Sequence, residues 1–258
     1  MDLVDKKIVF SLLRDGRVPQ RKIAMDVGIS AQALNYRINR LIEEKVIKRF
    51  TLHVNPALRG QLSAFAAFKT DVDYQGDVFS KIKCLEEVNL YGFSGNDMDD
   101  LQVKLSDASS KLGEHIMQYI PPGRPIGMNV NSSDLEIIEL LKKDPRMSVT
   151  DISSSLDIPY MTAKRRLNLL LKNHLIGVIT ELDLSGGDVV LYSIFSRSVN
   201  RVAEFLSPQI VFSIADQRAG VFTCFSENLR NAKESISRVR EIDRTADVMI
   251  LYDYQFFS

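Results

Sequence analysis

The feature that most constrains this sequence is an internal repeat. When the 258-residue chain is shifted by 129 positions, half its length, Asp5 aligns with Asp134 and Arg37 with Arg166 without a gap. The same shift aligns the identical pairs Ile8/Ile137, Leu12/Leu141, Asp15/Asp144, Arg17/Arg146, Ile23/Ile152, Ile29/Ile158, Asn39/Asn168, Ile47/Ile176 and Thr51/Thr180. A repeat of this kind predicts two tandem copies of one structural unit.

Each copy begins with a pattern typical of a helix-turn-helix. In the first copy Val4, Ile8 and Leu12 recur at a spacing of four, which places them on one face of a helix. Gly28 is expected to end a second short helix, and Ser30 is expected to cap the start of a third. Two helices joined by a tight turn containing Gly make a helix-turn-helix. The residues directly after the third helix predict a strand, which would add a wing.

The rest of each copy predicts the order βαββαβ of a ferredoxin-like domain. In the first copy the predicted elements are strand 63–70, helix 78–85, strands 88–93 and 101–105, helix 108–119 and strand 125–130. In the second copy they are strand 189–195, helix 201–206, strands 210–214 and 221–225, helix 229–239 and strand 247–254. Such a sheet has both helices on one face, and an apolar open face has to be covered. We therefore expect the two sheets to cover each other, within one chain or between swapped chains.

The predicted fold class is α+β, a tandem repeat of a winged helix-turn-helix and a ferredoxin-like βαββαβ domain. The expected domains are winged helices at 1–50 and 131–180 and ferredoxin-like domains at 60–130 and 186–258. The whole chain has no net charge, but residues 1–50 have a net charge of +5 and residues 131–180 have +1, whereas the segments after them are acidic. A basic segment beside an acidic one points to a nucleic-acid partner.

Composition excludes several classes of protein. A chain with 45% hydrophobic and 26% charged residues is typical of a globular protein and not of a disordered one. Its longest apolar runs contain five residues, whereas a membrane span needs about 18. The N-terminus lacks the pattern of a signal peptide, which predicts a cytoplasmic protein without a membrane partner. The two cysteines, Cys84 and Cys224, are too few for a disulfide framework.

The first copy resembles the N-terminal helix-turn-helix of the Lrp/AsnC family of bacterial and archaeal transcription regulators. The resemblance depends on Asp5, Ile8, Leu12, Asp15-Gly16-Arg17, Ile23-Ala24, Val27-Gly28-Ile29-Ser30, Arg37-Ile38, Leu41 and Val46-Ile47. It implies a non-enzymatic DNA-binding protein whose βαββαβ domain binds a ligand and oligomerises. Family members usually have one unit per chain, whereas this chain has two. Its second helix-turn-helix also departs from the motif, with Pro145, Asp157 and Pro159 in place of two glycines and the capping Ser.

Polar side chains on each third helix are the candidates for DNA contact, because a recognition helix presents such groups to the major groove. They are Ser30, Gln32, Asn35, Tyr36, Arg37 and Arg40 in the first copy and Tyr160, Thr162, Lys164, Arg165 and Arg166 in the second. Gln and Asn suit adenine and Arg suits guanine, whereas the second set suits phosphate better. The repeated Arg37 and Arg166 fit two roles, bracing the domain or holding a phosphate. The predicted partner is double-stranded DNA.

The resemblance also implies a small-molecule effector, such as an amino acid. The family motif places a Gly a few residues before an Asp in the hairpin between the second and third strands of the βαββαβ domain. The stretch 94–101 resembles it with one extra residue, which makes Gly95 and Asp99 candidate effector-binding residues. The alternative is an ordinary acidic turn. The matching stretch 215–220 of the second copy lacks the pattern.

Signals of catalysis are weak. His53, His115 and His174 lie far apart without a carboxylate or cysteine at ligand spacing, so we expect no catalytic residue, metal or cofactor. Two alternative functions remain open. The first is a tetrapyrrole decarboxylase of the siroheme type, since those enzymes resemble this two-domain fold. The second is a ligand-sensing or assembly protein that has lost DNA binding. The expected assembly is an intrachain pseudo-dimer or a homo-oligomer.

Overall fold

A computed structural model describes residues 1–123, 127–186 and 188–257. The helices are α1 (Leu3–Arg14), α2 (Gln20–Val27), α3 (Ala31–Glu43), α4 (Met98–Leu112), α5 (Ser132–Lys143), α6 (Val149–Leu156), α7 (Tyr160–Lys172), α8 (Val199–Leu206) and α9 (Leu229–Ile242). The strands are β1 (Ile47–Val54), β2 (Leu62–Lys69), β3 (Ser80–Cys84), β4 (Val88–Gly95), β5 (His115–Tyr119), β6 (Ile176–Leu182), β7 (Val190–Ser196), β8 (Ile210–Ala215), β9 (Gly220–Ser226) and β10 (Asp247–Phe256). Within these ranges no helix is both long and apolar enough to cross a membrane.

The helices of both helix-turn-helix segments are confirmed, together with their predicted ends. Gly28 ends α2 in the left-handed conformation with φ 74°, and the Ser30 hydroxyl accepts a hydrogen bond from the Ala33 N–H at 3.1 Å at the start of α3. In the second copy Asp157 adopts φ 50° at the position of Gly28. Pro159 precedes α7 without a side-chain cap. The second copy therefore keeps the geometry of the motif, although Asp157 is less suited than Gly to the left-handed conformation and Pro159 cannot cap the helix as Ser does.

The two winged domains share one small sheet. Strands β1 and β6 pair antiparallel, with Phe50 opposite Thr180. Leu52 of β1 is buried in the core formed by α5, α6 and α7, so the first copy contributes a strand to the second. The Thr180 hydroxyl in turn donates a buried hydrogen bond of 2.7 Å to the carbonyl of Leu12 in α1. The two helix-turn-helix domains are therefore interlocked.

The remaining strands form one eight-stranded sheet in the order β5-β2-β4-β3-β10-β7-β9-β8. The two ferredoxin-like halves join edge to edge through β3 and β10, where Ile82 lies opposite Tyr254. Helix α4 packs on the first half, and α8 and α9 pack on the second. The predicted fold class is confirmed.

The sheet curls so that its open faces meet. The ring centroids of Tyr119 in β5 and Phe195 in β7 lie 6.4 Å apart, although five strand positions would separate them by about 24 Å in a flat sheet. Apolar side chains from both halves belong to one buried cluster that continues into the core of α1, α2 and α3. The two open faces therefore cover each other within a single chain. This is the first of the two predicted arrangements, the other being coverage between swapped chains.

Several predicted elements of the first ferredoxin-like half are wrong. The predicted helix 78–85 contains strand β3, because the backbone of residues 80–84 pairs with both β4 and β10. The predicted strand 101–105 lies inside α4, and the predicted helix 108–119 is divided into the end of α4 and strand β5 at Gly113, which has φ 92°. The predicted strand 125–130 begins among residues outside the described ranges, and residues 127–130 form no strand.

The first half thus lacks the helix expected between its first two strands. The segment between β2 and β3 covers the sheet instead through Tyr74, whose ring packs against Tyr91 and Phe93. The Tyr74 hydroxyl donates a 2.7 Å hydrogen bond to Asp107 of α4. In the second half the order βαββαβ is complete, and each predicted strand and helix is confirmed within a few residues.

Candidate DNA-binding surface

Helix α3 divides its side chains between a buried and an exposed face. Leu34, Ile38 and Leu41 are buried in the core of the first winged domain. Gln32 and Asn35 are exposed. Tyr36 is 67% exposed. These three side chains come from the first half of the helix, the part of a recognition helix that contacts base edges.

The two candidate arginines of α3 bind a buried carboxylate. Asp5 is fully buried and forms a reciprocal capping box with Asp2 at the start of α1. Arg37 donates to Asp5 Oδ1 at 2.7 Å and to Asp2 Oδ2 at 2.6 Å. Arg40 donates to Asp5 Oδ2 at 2.6 Å. The hydrogen bonds from Arg37 to Asp2 and Asp5 raise the pKa of Arg37 above its usual value. Both arginines therefore fix α3 to α1.

The second copy repeats part of this brace. Arg166 forms a two-pronged ion pair with the buried Asp134, and its Nη2 also donates to the carbonyl of Asn129 at 2.9 Å. Leu169 aligns with Arg40 in the repeat. Asp134 therefore forms an ion pair with one arginine, whereas Asp5 forms ion pairs with two. Of the two roles considered for the repeated arginine, the contacts favour bracing the domain.

Other polar side chains of α7 are free to meet a ligand. Lys164 and Arg165 are exposed, and the Lys164 ammonium lies 6.0 Å from the centroid of the Tyr160 ring. Tyr160 is 46% exposed, whereas Thr162 is half-buried. The exposed groups of α7 are thus mainly cations, in contrast to the amides of α3.

Bracing was one of the two roles predicted for Arg37 and Arg166, but the carboxylate partners Asp5 and Asp134 and the part played by Arg40 were not predicted. A signal was present, since Asp and Arg recur in both copies at the same separation of 32 residues. Charged residues of opposite sign that repeat together indicate an ion pair inside each unit, because a DNA contact needs no partner carboxylate.

An additional arginine bridges the two helix-turn-helix domains. Arg17, in the turn between α1 and α2, donates to the carbonyls of Pro145 and Met147 at 2.6 and 2.7 Å. Burial lowers the pKa of Arg17 from its usual value. The aligned Arg146 stacks on the Phe50 ring, with 4.6 Å between its guanidinium carbon and the ring centroid. Together with the shared β1–β6 sheet, these contacts hold α3 and α7 on one framework.

The candidate effector residues do not lie in a hairpin, so that part of the prediction is wrong. Gly95 ends β4, and Asp99 lies in the first turn of α4. A side chain at Gly95 would come within 2.8 Å of the Leu101 backbone, so this Gly allows β4 and α4 to approach closely. Asp99 is exposed, and the neighbouring Asp97 caps the helix. The hairpin between the second and third strands is formed instead by residues 85–87.

Comparison with known proteins agrees with this geometry. The winged helix-turn-helix DNA-binding family matches residues 1–48 and 130–176. The HTH-type transcriptional regulator FL11 of Pyrococcus furiosus is 38% identical over 113 residues, which cover 43% of this chain and 74% of that protein. The HTH-type transcriptional regulator LrpA of Mycobacterium tuberculosis is 30% identical over 123 residues, 46% of this chain and 81% of that protein. Such shares are expected when the relative has one unit and this chain has two.

Solved structures show more distant similarity. The siroheme decarboxylase NirDL in complex with an iron-uroporphyrin III analogue has a TM-score of 0.48 and 12% identity, covering 96% of this chain and 90% of that one. The leucine response regulatory protein LrpA of Mycobacterium tuberculosis has a TM-score of 0.33 and 23% identity, covering 48% and 94%. Similarity at these TM-scores does not indicate a function for this chain.

The paired wings, the braced third helices and the family match define a winged helix-turn-helix protein of the DNA-binding class. More specifically, the chain belongs to the Lrp/AsnC family of transcription regulators.

Proposed function

We propose that this chain regulates transcription in the cytoplasm by binding an asymmetric site on double-stranded DNA. Residues 1–50 and 131–180 bind the DNA, and residues 60–130 and 186–258 form the two ferredoxin-like halves that support them. The proposal depends on one observation: helices α3 and α7 are held together in one structure but expose different kinds of side chain. Exposed amides and an exposed Tyr lie on α3, and exposed cations lie on α7.

Helix α3 supplies the base readout. Because Arg37 and Arg40 bind Asp5, the side chains free to reach base edges are Gln32, Asn35 and Tyr36. Gln and Asn pair bidentately with adenine, which predicts a preference for A·T pairs in this half of the site. Ser30 keeps its place at the N-terminus of the helix, where backbone N–H groups favour a phosphate.

Helix α7 supplies mainly phosphate contacts. Lys164 and Arg165 are exposed cations, and Tyr160 lies beside them. Phosphate contacts fix the position of a protein on the duplex and carry no sequence information directly. A symmetric dimer reads a palindrome because its two helices are identical. Since α3 and α7 differ, this chain prefers a site whose halves differ.

The test is a salt titration on a duplex selected from random DNA and on its scrambled counterpart. Asn35→Ala is expected to cost about 1–3 kcal/mol on the selected duplex and to relax preference at one position. Lys164→Ala and Arg165→Ala are expected to weaken binding to both duplexes alike and to reduce the salt slope by about one unit each. Asn39→Ala, one turn further along α3, is the matched control and should change neither quantity.

Two outcomes contradict the proposal. Equal losses on both duplexes for Asn35→Ala would show that α3 does not read bases. Absence of any salt-sensitive DNA binding by the wild-type chain would favour a ligand-sensing or assembly protein instead.

A further inference from the structure

The third helix of the second copy, α7, exposes an apolar side chain beside its cations. Ala163 and Leu167 of this helix are buried in the core of the second winged domain. Met161 lies two residues before Ala163, and at about 100° per residue this places it on the opposite face. Met161 is 69% exposed, whereas Met147 of the same domain packs against the core. The side chain of Met161 is therefore available to a partner.

Met161 occupies the position at which the first copy has a candidate for base readout. The repeat aligns Met161 with Gln32, and each is the second residue of its helix. The N-terminal residues of a recognition helix are the ones that contact base edges. Both side chains are exposed. The two copies thus present an amide and a thioether at the same place in the motif.

The groups around Met161 suit a helix whose first turn enters the major groove. Lys164 and Arg165 lie about one turn further along α7, and both are exposed cations that suit the phosphates beside the groove. Pro159 precedes the helix and, unlike Ser30, provides no side-chain cap for the first N–H groups. Phosphate contacts of this kind fix the position of a helix on the duplex. They would hold the side chain of Met161 against the base edges.

The chemistry of the major groove limits what an apolar side chain can recognise there. Most of the groups on the base edges are hydrogen-bond donors and acceptors, and thymine adds a C5-methyl group. A thioether is a weak acceptor and no donor, so it gains little from the polar groups. Methionine is also unbranched and flexible, which lets it fit an irregular apolar surface. The group that it matches is therefore the methyl group.

We propose that Met161 contacts the C5-methyl group of a pyrimidine in the major groove, and that α7 thereby reads sequence as well as binding phosphate. In ordinary DNA this base is thymine, and in methylated DNA it is thymine or 5-methylcytosine. The inference rests on the proposed function, because it places α7 in the groove. It adds that the α7 half of the site contains a T·A pair selected by apolar contact.

The test replaces each thymine of the duplex selected from random DNA, one at a time, by deoxyuridine. Uracil keeps the hydrogen-bonding groups of thymine and lacks the C5-methyl group. For the wild-type chain, one replacement should lower the affinity about fourfold through loss of the Met161 contact, the amount expected for one methyl group buried from water. Met161→Gln should bind the thymine and deoxyuridine duplexes equally at that position. The variant therefore identifies the contacted base without prior assignment of the halves.

Two controls accompany the scan. Met161→Leu keeps an apolar side chain and should retain the loss at the same thymine. Thymines within reach of Tyr36 on α3 should give the same loss in the wild type and in Met161→Gln, because they are contacted by the other helix. Since Met161 is exposed, circular dichroism should show both variants folded as the wild type is.

A second measurement separates the methyl group from the base pair that presents it. The T·A pair identified by the scan is replaced by a C·G pair, with and without a C5-methyl group on the cytosine. The wild-type chain should bind the methylated duplex about fourfold more tightly than the unmethylated one. Met161→Gln should bind the two duplexes equally.

Three results would overturn the assignment while wild-type DNA binding remains salt-sensitive, and they would leave the proposed function standing. The first is that deoxyuridine costs nothing at any thymine. The second is that Met161→Gln keeps every loss that the wild type shows. The third is equal binding of the cytosine and 5-methylcytosine duplexes by the wild type. Altered sedimentation of Met161→Gln with unchanged methyl dependence would assign Met161 to a contact with a second chain instead.

Failure of the proposed function has a different signature. A wild-type chain without salt-sensitive binding to any duplex would overturn both the proposed function and the role of Met161.

Discussion

At the scale of single residues, the two copies differ in how many arginines pair with the buried aspartate of their first helix. Asp5 and Asp134 are both fully buried carboxylates at the third position of a capped helix. Asp5 keeps Arg40 when Arg37 is removed, whereas Asp134 has Arg166 as its one ion-pair partner among the described residues. A buried carboxylate left without its cation is strongly destabilising.

We therefore expect Arg166→Ala to lower the free energy of unfolding by about 3–5 kcal/mol. Arg37→Ala should lower it by less, because Arg40 still pairs with Asp5. Arg165→Ala is the matched control at the next position, and its exposed side chain predicts a change within about 0.5 kcal/mol. Urea denaturation of the three variants measures these differences. Equal effects of Arg165→Ala and Arg166→Ala would contradict the bracing role.

A second residue-scale prediction concerns His53 in β1. Its ring lies 5.8 Å from that of Phe79 and 5.9 Å from that of Phe256, and its Nδ1 is buried without a hydrogen-bond partner in the described structure. Burial lowers the pKa of His53 from 6.5 to about 4. Because the unfolded chain then binds a proton more readily, stability is complete above pH 6.5 and falls as the pH drops toward 4.

The loss over that window amounts to at most about 3 kcal/mol at 1.36 kcal/mol per pKa unit. His53→Phe keeps an aromatic ring and removes the titration, so its stability should depend less on pH between 6.5 and 4. His174→Gln, at an exposed position, is the control and should keep the wild-type dependence. Denaturant titrations at several pH values measure the slope. An unchanged slope for His53→Phe would contradict the burial of a neutral imidazole.

At the scale of elements, the shared β1–β6 sheet makes each winged domain depend on the other. Leu52 of β1 is buried with the helices of the second copy, whereas Ile47 of the same strand is buried with those of the first. One strand therefore completes two cores. This exchange is invisible in the sequence, where both residues belong to one apolar strand pattern.

Leu52→Ala is expected to destabilise the chain by about 2–5 kcal/mol through a cavity in the second winged domain. Native-state hydrogen exchange should show the amides of α5 and α7 opening more readily, although the substitution lies in the first copy. Ile47→Ala is the matched change and should affect α1 and α3 instead. If Leu52→Ala exposed the amides of α1 and α3 and spared those of α5 and α7, the interlocked arrangement would be wrong.

At the scale of the whole molecule, the chain reproduces within itself the pairing that a one-unit relative would need a second chain to make. The β1–β6 sheet, the β3–β10 junction and the contact between Tyr119 and Phe195 all join residues of different copies. The buried cluster that continues from the first winged domain into both halves of the sheet adds to this cohesion.

We expect the halves 1–130 and 131–258 to be unstable or self-associating when produced alone and to form a complex when co-produced. The intact chain should unfold in one cooperative transition and sediment as a monomer at low concentration. Analytical ultracentrifugation and thermal unfolding monitored by circular dichroism measure both properties. Stable, monomeric halves without affinity for each other would contradict the shared sheets.

The sequence by itself determined the features that depend on local signals. The repeat, the three helices of each copy and the ends at Gly28 and Ser30 were predictable, because apolar spacing and capping residues act over a few positions. The complete βαββαβ order of the second half followed from the same kind of pattern. The sequence also contains the signal for α4, because Leu101, Leu105, Ala108 and Leu112 recur at helical spacing, although the predicted strand 101–105 and helix 108–119 divide these residues between two elements.

The tertiary structure alone decided the features that depend on distant partners. The apolar residues Val78, Ile82 and Leu85 fit a helix by spacing, yet Ile82 lies in a strand because β4 and β10 offer hydrogen-bonding edges on both sides. Arg37 and Arg40 became braces because Asp5, far along the chain, is buried beside them. Short apolar runs have similar local preferences for helix and strand, so pairing and burial across the molecule determine which one forms.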